Sequence, residues 1–126
     1  MITRLKTSRL SKERLESLNS VLKMSSNAVI LRYAIAKSIE CEKDVKTDQD
    51  ALVLDNTGFE ITRQTLFGEN ETLYKTLFGV SYMEKDEYFF PNLTNMHIER
   101  GLKILEREYR YAGNKDKFIR NIISEL

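Results

Sequence analysis

The apolar positions of this chain change their spacing several times, and each change marks an element. Ile2-Thr3-Arg4-Leu5-Lys6-Thr7 alternates and holds β-branched residues, which predicts a short strand or an extended arm. Leu15, Leu18 and Leu22 then recur at spacings of three and four, with Val21 beside them, so an amphipathic helix is expected over residues 12–23. Ser11 is its expected N-cap, and Glu13 falls in the first turn, where a carboxylate complements the helix dipole. Met24-Ser25-Ser26-Asn27 stops that helix, and Ser26 or Asn27 can cap a second one over 27–41. That second helix is apolar almost all round (Ala28, Val29, Ile30, Leu31, Ala34, Ile35), which predicts burial with a subunit interface on one side.

From Glu42 to Asp50 the chain is polar and acidic, and a loop is expected. Asn56-Thr57-Gly58 is turn chemistry. After it, Phe59 to Phe67 reads as an irregular strand with Phe59, Ile61 and Thr65 on one side, ended by Gly68. Asn70 is placed to cap a short helix carrying Leu73, Tyr74, Leu77 and Phe78, with Gly79 at its C-terminal cap. Residues 80–90 are aromatic and acidic, and Pro91 breaks the chain. A strong amphipathic helix is expected at 93–111, with Ile98, Leu102, Leu105 and Tyr109 on one stripe, closed by Ala112-Gly113-Asn114. A last helix at 115–125 is expected to bury Phe118, Ile119, Ile122, Ile123 and Leu126. The class is therefore mainly α with minor β content: one compact helical domain over 1–126. Its short N-terminal strand or arm opens a ribbon-helix-helix-like first half, in which paired strands of a dimer would enter the major groove.

Composition changes that picture only at the edges. With 126 residues the chain is long enough for one modest core, and 41% hydrophobic and 31% charged residues are ordinary for a globular protein. No stretch approaches the ~20 apolar residues that span a bilayer. Arg4, Lys6 and Arg9 interrupt any apolar signal segment, so a cytoplasmic location is expected. Charge matters more. The net charge of +1 hides a segregation: residues 1–37 hold eight basic and two acidic side chains, and residues 38–90 hold five basic and twelve acidic. Charge asymmetry of this kind points to a polyanion partner, or to contacts between basic and acidic parts of an oligomer.

Candidate chemistry is sparse. His97 is the single histidine and has no ligand set or nucleophile near it in sequence, so a surface or partly buried role is expected. Cys41, the single cysteine, is flanked by Glu40 and Glu42, which disfavour a thiolate and favour a structural thiol. Tyr82, Tyr88, Phe89 and Phe90 could stack bases, but Glu84, Asp86 and Glu87 beside them favour a core or subunit contact. No phosphate-binding loop, dinucleotide fingerprint or His-Glu-x-x-His motif occurs, and no enzyme is expected.

The basic amino end is the remaining feature. Arg4 and Lys6 share one face of the extended piece, and Lys12 and Lys23 lie on the helix side away from the leucines. Such cations serve phosphate binding, or merely solvate a core helix.

The order of segments resembles the DndE family, the small subunit of bacterial DNA phosphorothioation systems. The resemblance is carried by residues 4–40 (basic arm, serine-capped helix, second cap, apolar helix), by 56–79, and by "HIERGLKILE" at 97–106. It implies a small, mostly helical oligomer, typically a tetramer, that binds double-stranded DNA through surface lysines and favours nicked duplex. It also implies action beside other subunits of a complex that replaces a non-bridging phosphate oxygen by sulfur; from the residues themselves, no membrane contact and no cofactor are expected. A sulfotransferase activity finds no nucleotide-binding loop to support it. Carried over to this sequence, the DNA-binding candidates are Arg4, Lys6, Arg9, Lys12, Arg14 and Lys23. The alternative role is a structural adaptor holding the other subunits together, and a third is sulfur relay through Cys41.

Overall fold

The computed structural model describes residues 1–23 and 26–125. Among these residues, two short strands, β1 (Arg4–Lys6) and β2 (Glu60–Thr62), and six α-helices follow in the order β1, α1 (Arg9–Leu22), α2 (Asn27–Glu40), β2, α3 (Arg63–Phe67), α4 (Glu71–Leu77), α5 (Thr94–Ala112), α6 (Lys115–Glu125). The expected mainly helical class with minor β content is what forms.

Helix α5 is the axis of the molecule. Its Ile98, Leu102 and Leu105 are fully buried and meet Leu15 and Leu18 of α1, Ile30, Leu31, Ala34 and Ile35 of α2, and Phe118 of α6. Helices α2 and α5 approach most closely at Gly101, where a Cβ would come within 2.9 Å of the Ala34 Cα and run into its carbonyl. Phe67, Phe89 and Phe90 close the other end of the core, with Phe67 and Phe89 stacked at 5.3 Å.

Three buried or part-buried arginines tie the layers together. Arg63 pairs with Glu71, donates two bonds to Asp86 at 2.6 and 2.7 Å, and lies 5.2 Å from the Phe90 ring. Arg100 donates to the Ser38 hydroxyl and carbonyl and to the Lys43 carbonyl, joining α5 to the end of α2. Arg14 is the third and is taken up below.

Several expectations shift in detail. Helix α1 begins three residues early: Ser8, not Ser11, is its N-cap, accepting from the Ser11 amide at 3.0 Å. Ser8 wins because its hydroxyl also donates to Glu99 at 2.6 Å, a buried bond that Ser11 cannot reach. Glu13 consequently lies outside the first turn. Ser26 caps α2, as one of the two alternatives had it; Met24 and Ser25 lie outside the described residues. The acidic loop contains two single 3-10 turns, Val45–Thr47 and Gln49–Ala51, capped by the Asp44 and Asp48 carboxylates.

The expected strand at 59–67 is a strand only to Thr62. There the Thr62 hydroxyl accepts from the Thr65 amide and starts α3, which turns Leu66 and Phe67 into the core and leaves Thr65 exposed. Of the apolar residues expected to be buried, helix α6 buries Phe118; Ile119 and Ile122 are half-buried and Ile123 is exposed, because α6 lies on the rim of the core. Leu126 is outside the described residues.

The strand–helix–helix opening is present, but β1 does not wait for a second copy. It pairs antiparallel with β2 of the same chain, Leu5 opposite Ile61. Beyond the ladder, the turn before β2 closes on Thr7. The Thr7 amide donates to the Phe59 carbonyl, and the amides of Gly58 and Phe59 donate back to the Thr7 carbonyl and hydroxyl.

Candidate nucleic-acid interface

Strand alternation sorts the side chains of β1: Leu5 is buried under the sheet, and Arg4 and Lys6 stand on the outer face. Arg4 lies 3.4 Å from Glu60 on β2, with both side chains largely in solvent. Among the described residues, Lys6 has no carboxylate within 4 Å. The chain then turns through Thr7 and Ser8 into α1, whose first turns expose Arg9 and Lys12. Both make only i,i+4 pairs at the edge of contact distance, Arg9–Glu13 at 3.7 Å and Lys12–Glu16 at 3.9 Å. Exposed pairs of this length contribute at most about 0.5 kcal/mol, so a phosphate can displace them.

Arg14 belongs to a different environment. Its side chain is 15% exposed and lies between Glu99 (3.3 Å) and Glu106 (3.5 Å) on α5. Glu99 is itself buried and accepts from Ser8. Helix geometry explains this: Arg14 shares the inward edge with Leu15 and Leu18, where α1 meets α5. Arg14 is thus a structural cation, and the expectation that it serves as a DNA contact is corrected.

Lys23 is exposed in a left-handed conformation at the C-terminal cap of α1, φ 53°. It stands at the far end of the helix from Lys6, about 21 Å along the axis at 1.5 Å per residue. The structure therefore brings Arg4, Lys6, Arg9 and Lys12 to one end of α1 and sets Lys23 apart. Sequence reading passed over Lys46, which faces β1 across a cleft, because it sits in an acidic run. It also passed over Lys115, Lys117 and Arg120, exposed on α6.

The other candidates resolve into structure. His97 is buried, stacked on the Phe78 ring at 4.3 Å and hydrogen-bonded through Nδ1 to the Ser38 hydroxyl at 2.8 Å. Burial, and then the charge of Arg100, push its pKa down to about 4. It is a core histidine, deeper than the surface or partly buried one expected. Cys41 is half-buried at the end of α2, in a recess that His97 and Arg100 also line. Among the described residues no three His, Cys, Asp or Glu side chains gather as a metal site, and no helix is long and apolar enough to cross a membrane. Of the aromatic cluster, Phe89 and Phe90 are core, Tyr88 is half-buried and Tyr82 is exposed.

A helical body with a basic strand-to-helix corner recurs on many folds, and comparison with known proteins narrows it. The family model described as "DNA sulphur modification protein DndE" matches residues 4–112. The chain belongs to the DndE family. Among solved structures, DndE from Escherichia coli B7A, described as involved in DNA phosphorothioation modification, is similar to it. Identity is 22% and the TM-score 0.59, over 83% of this chain and 97% of that one. A DndE G21/24K mutant, described as involved in DNA phosphorothioation, gives 22% identity and a TM-score of 0.60, over 82% and 97%. At that identity the two structures show a shared fold. No curated protein matches this DndE-family chain. The resemblance read from residues 4–40, 56–79 and 97–106 is thereby established at the level of the family, whose work is DNA sulfur modification.

Proposed function

We propose that this DndE-family chain is a non-catalytic, cytoplasmic subunit of a DNA phosphorothioation complex that binds duplex DNA, nicked duplex in preference, through its backbone. The observation that carries the reading is the basic corner, where Arg4, Lys6, Arg9 and Lys12 point outward with weak partners or none among the described residues. Each cation that meets a phosphate releases condensed counterions, so affinity comes from charge and carries no sequence preference. One such corner is modest. In a tetramer it is repeated by symmetry, and avidity multiplies it. Nicked duplex bends at lower cost than intact duplex and fits several corners at once.

The test is affinity for nicked and intact duplex between 50 and 200 mM salt, alongside sizing in solution. Steeply weakening binding with a nicked-over-intact advantage is expected; affinity that stays flat with salt overturns the mechanism. One observation favours the adaptor role as a second reading: α4 exposes Leu73 and Leu77 one turn apart, and Tyr82 and Met83 follow in the open. Charge reversal of Lys6, Lys12 and Lys23 together separates the two readings. Loss of DNA with complex assembly intact supports DNA binding, and the opposite pattern supports the adaptor.

A further inference from the structure

Beside the basic corner, between β1, the segment around Val53 and Asn56, and the turn that leads into α5, lies an open cleft of about 600 Å³. That volume is ordinary for a small-ligand site. Its lining is divided by chemistry. Arg4, Lys6 and Lys46 supply three cations, and among the described residues that line it there is no carboxylate. Tyr88, Pro91 and Met96 supply apolar surface. Backbone binding to duplex asks only for outward cations on an open face; it has no use for a hollow walled by a ring and a thioether. A cationic rim over apolar surface suits an anion that carries a flat aromatic body.

The cations are held only by exposed contacts: Arg4 pairs with Glu60 at 3.4 Å, both side chains largely in solvent. Lys6 has no carboxylate within 4 Å among the described residues, and Lys46 has only Asp44 at 4.0 Å, both half in solvent. Lys46 Nζ also lies 5.7 Å from the centroid of the Tyr88 ring, so charge and stacking surface stand side by side. The wall is firm: the buried Asn95 donates its amide to the Lys6 carbonyl at 2.9 Å, fastening β1 to the start of α5. Its Oδ1 is buried and has no hydrogen-bond partner among the described residues.

We infer that this cleft is a mononucleotide site that takes one unstacked nucleotide of a DNA strand. Its phosphate lies on Arg4, Lys6 and Lys46, and its base lies against Tyr88, Pro91 and Met96. The inference rests on the DNA-binding reading and adds to it a second mode of contact, one base wide, that an intact duplex cannot satisfy. The same chemistry would hold a free deoxynucleotide, and the experiment separates the two sources.

Fluorescence anisotropy compares a blunt duplex with the same duplex bearing a three-nucleotide single-stranded overhang, for the full chain and for Lys46→Ala and Asn92→Glu. Both positions are exposed on the cleft rim, so the fold is expected to survive, with circular dichroism as the control. The overhang is expected to tighten binding about tenfold, the contribution of one stacked base. In both variants that gain disappears while blunt-duplex affinity stays within threefold. An overhang that brings no gain, or a gain that survives both variants, overturns the site and leaves backbone binding standing. If no DNA binds at all, titration with deoxyadenosine monophosphate decides. Saturation that is lost in Lys46→Ala supports the site with a free nucleotide as its ligand, and no saturation overturns it.

Discussion

Between the ordinary histidine value of 6.5 and the pKa of about 4 that burial imposes in the fold, an unfolded chain carries a proton on His97 that the folded chain refuses. The unfolded state therefore binds more protons in this window, and stability falls as pH drops through it. Between pH 7 and pH 5 the linkage amounts to about 2 kcal/mol. Denaturant unfolding at the two pH values should show that difference, and His97→Gln should bring the two curves together. A second pair of residues separates structural from surface charge. Arg14→Ala leaves the buried Glu99 without its cation and should cost about 3 kcal/mol. Lys12→Ala removes one 3.9 Å surface pair and should stay within about 0.5 kcal/mol, measured by the same unfolding curves. Both variants lose one positive charge, so only the first should unfold early.

Among the elements, the α2–α5 contact is the one most exposed to a single atom. A methyl group at Gly101 has nowhere to go, since the Ala34 backbone already occupies its place. Gly101→Ala should therefore push the two helices apart and lower stability by about 3 kcal/mol or more, seen as an earlier thermal transition. This tightness was not legible in sequence, because the atoms that crowd Gly101 belong to the Ala34 backbone of another helix. The α5 stripe was legible because Ile98, Leu102 and Leu105 all face one core at helical spacing. The short elements were not. Helix α3 depends on the Thr62 cap overriding a β-branched run, and the start of α1 depends on Ser8 meeting Glu99, ninety-one residues away. Arg4, Lys6 and Lys12 could be read as outward because strand and helix periodicity turn them so, whereas Arg9 entered only through the family resemblance, since the helix was expected to begin at residue 12 and in fact begins at Arg9. Arg14 was misread because its partners lie on α5. Lys46 was missed because the fold, and not local order, carries it to β1.

At the scale of the whole molecule, charge is segregated along the chain and then partly recombined by folding. Arg107 and Lys103 of α5 meet Asp50 of the acidic loop, and Arg63 is neutralised by Glu71 and Asp86. What remains near β1 is the amino-terminal set, of which Arg4, Arg9 and Lys12 have only exposed pairs and Lys6 has no carboxylate within 4 Å among the described residues. If that set contacts phosphate, Lys6→Ala should lower the slope of log affinity against log salt by about one for each DNA-contacting copy. Its effect should be uniform across sequences.

The amino terminus is sewn into the body rather than draped over it. Thr3, Lys6, Thr7 and Arg9 all bond through their backbones to residues more than forty positions away. Trimming the first seven residues would thus unpick a seam that also secures β2 and the entrance to α3. A shortened chain that no longer held DNA would be telling of a lost shape, and point changes at Lys6 and Lys12 are what can speak for charge alone.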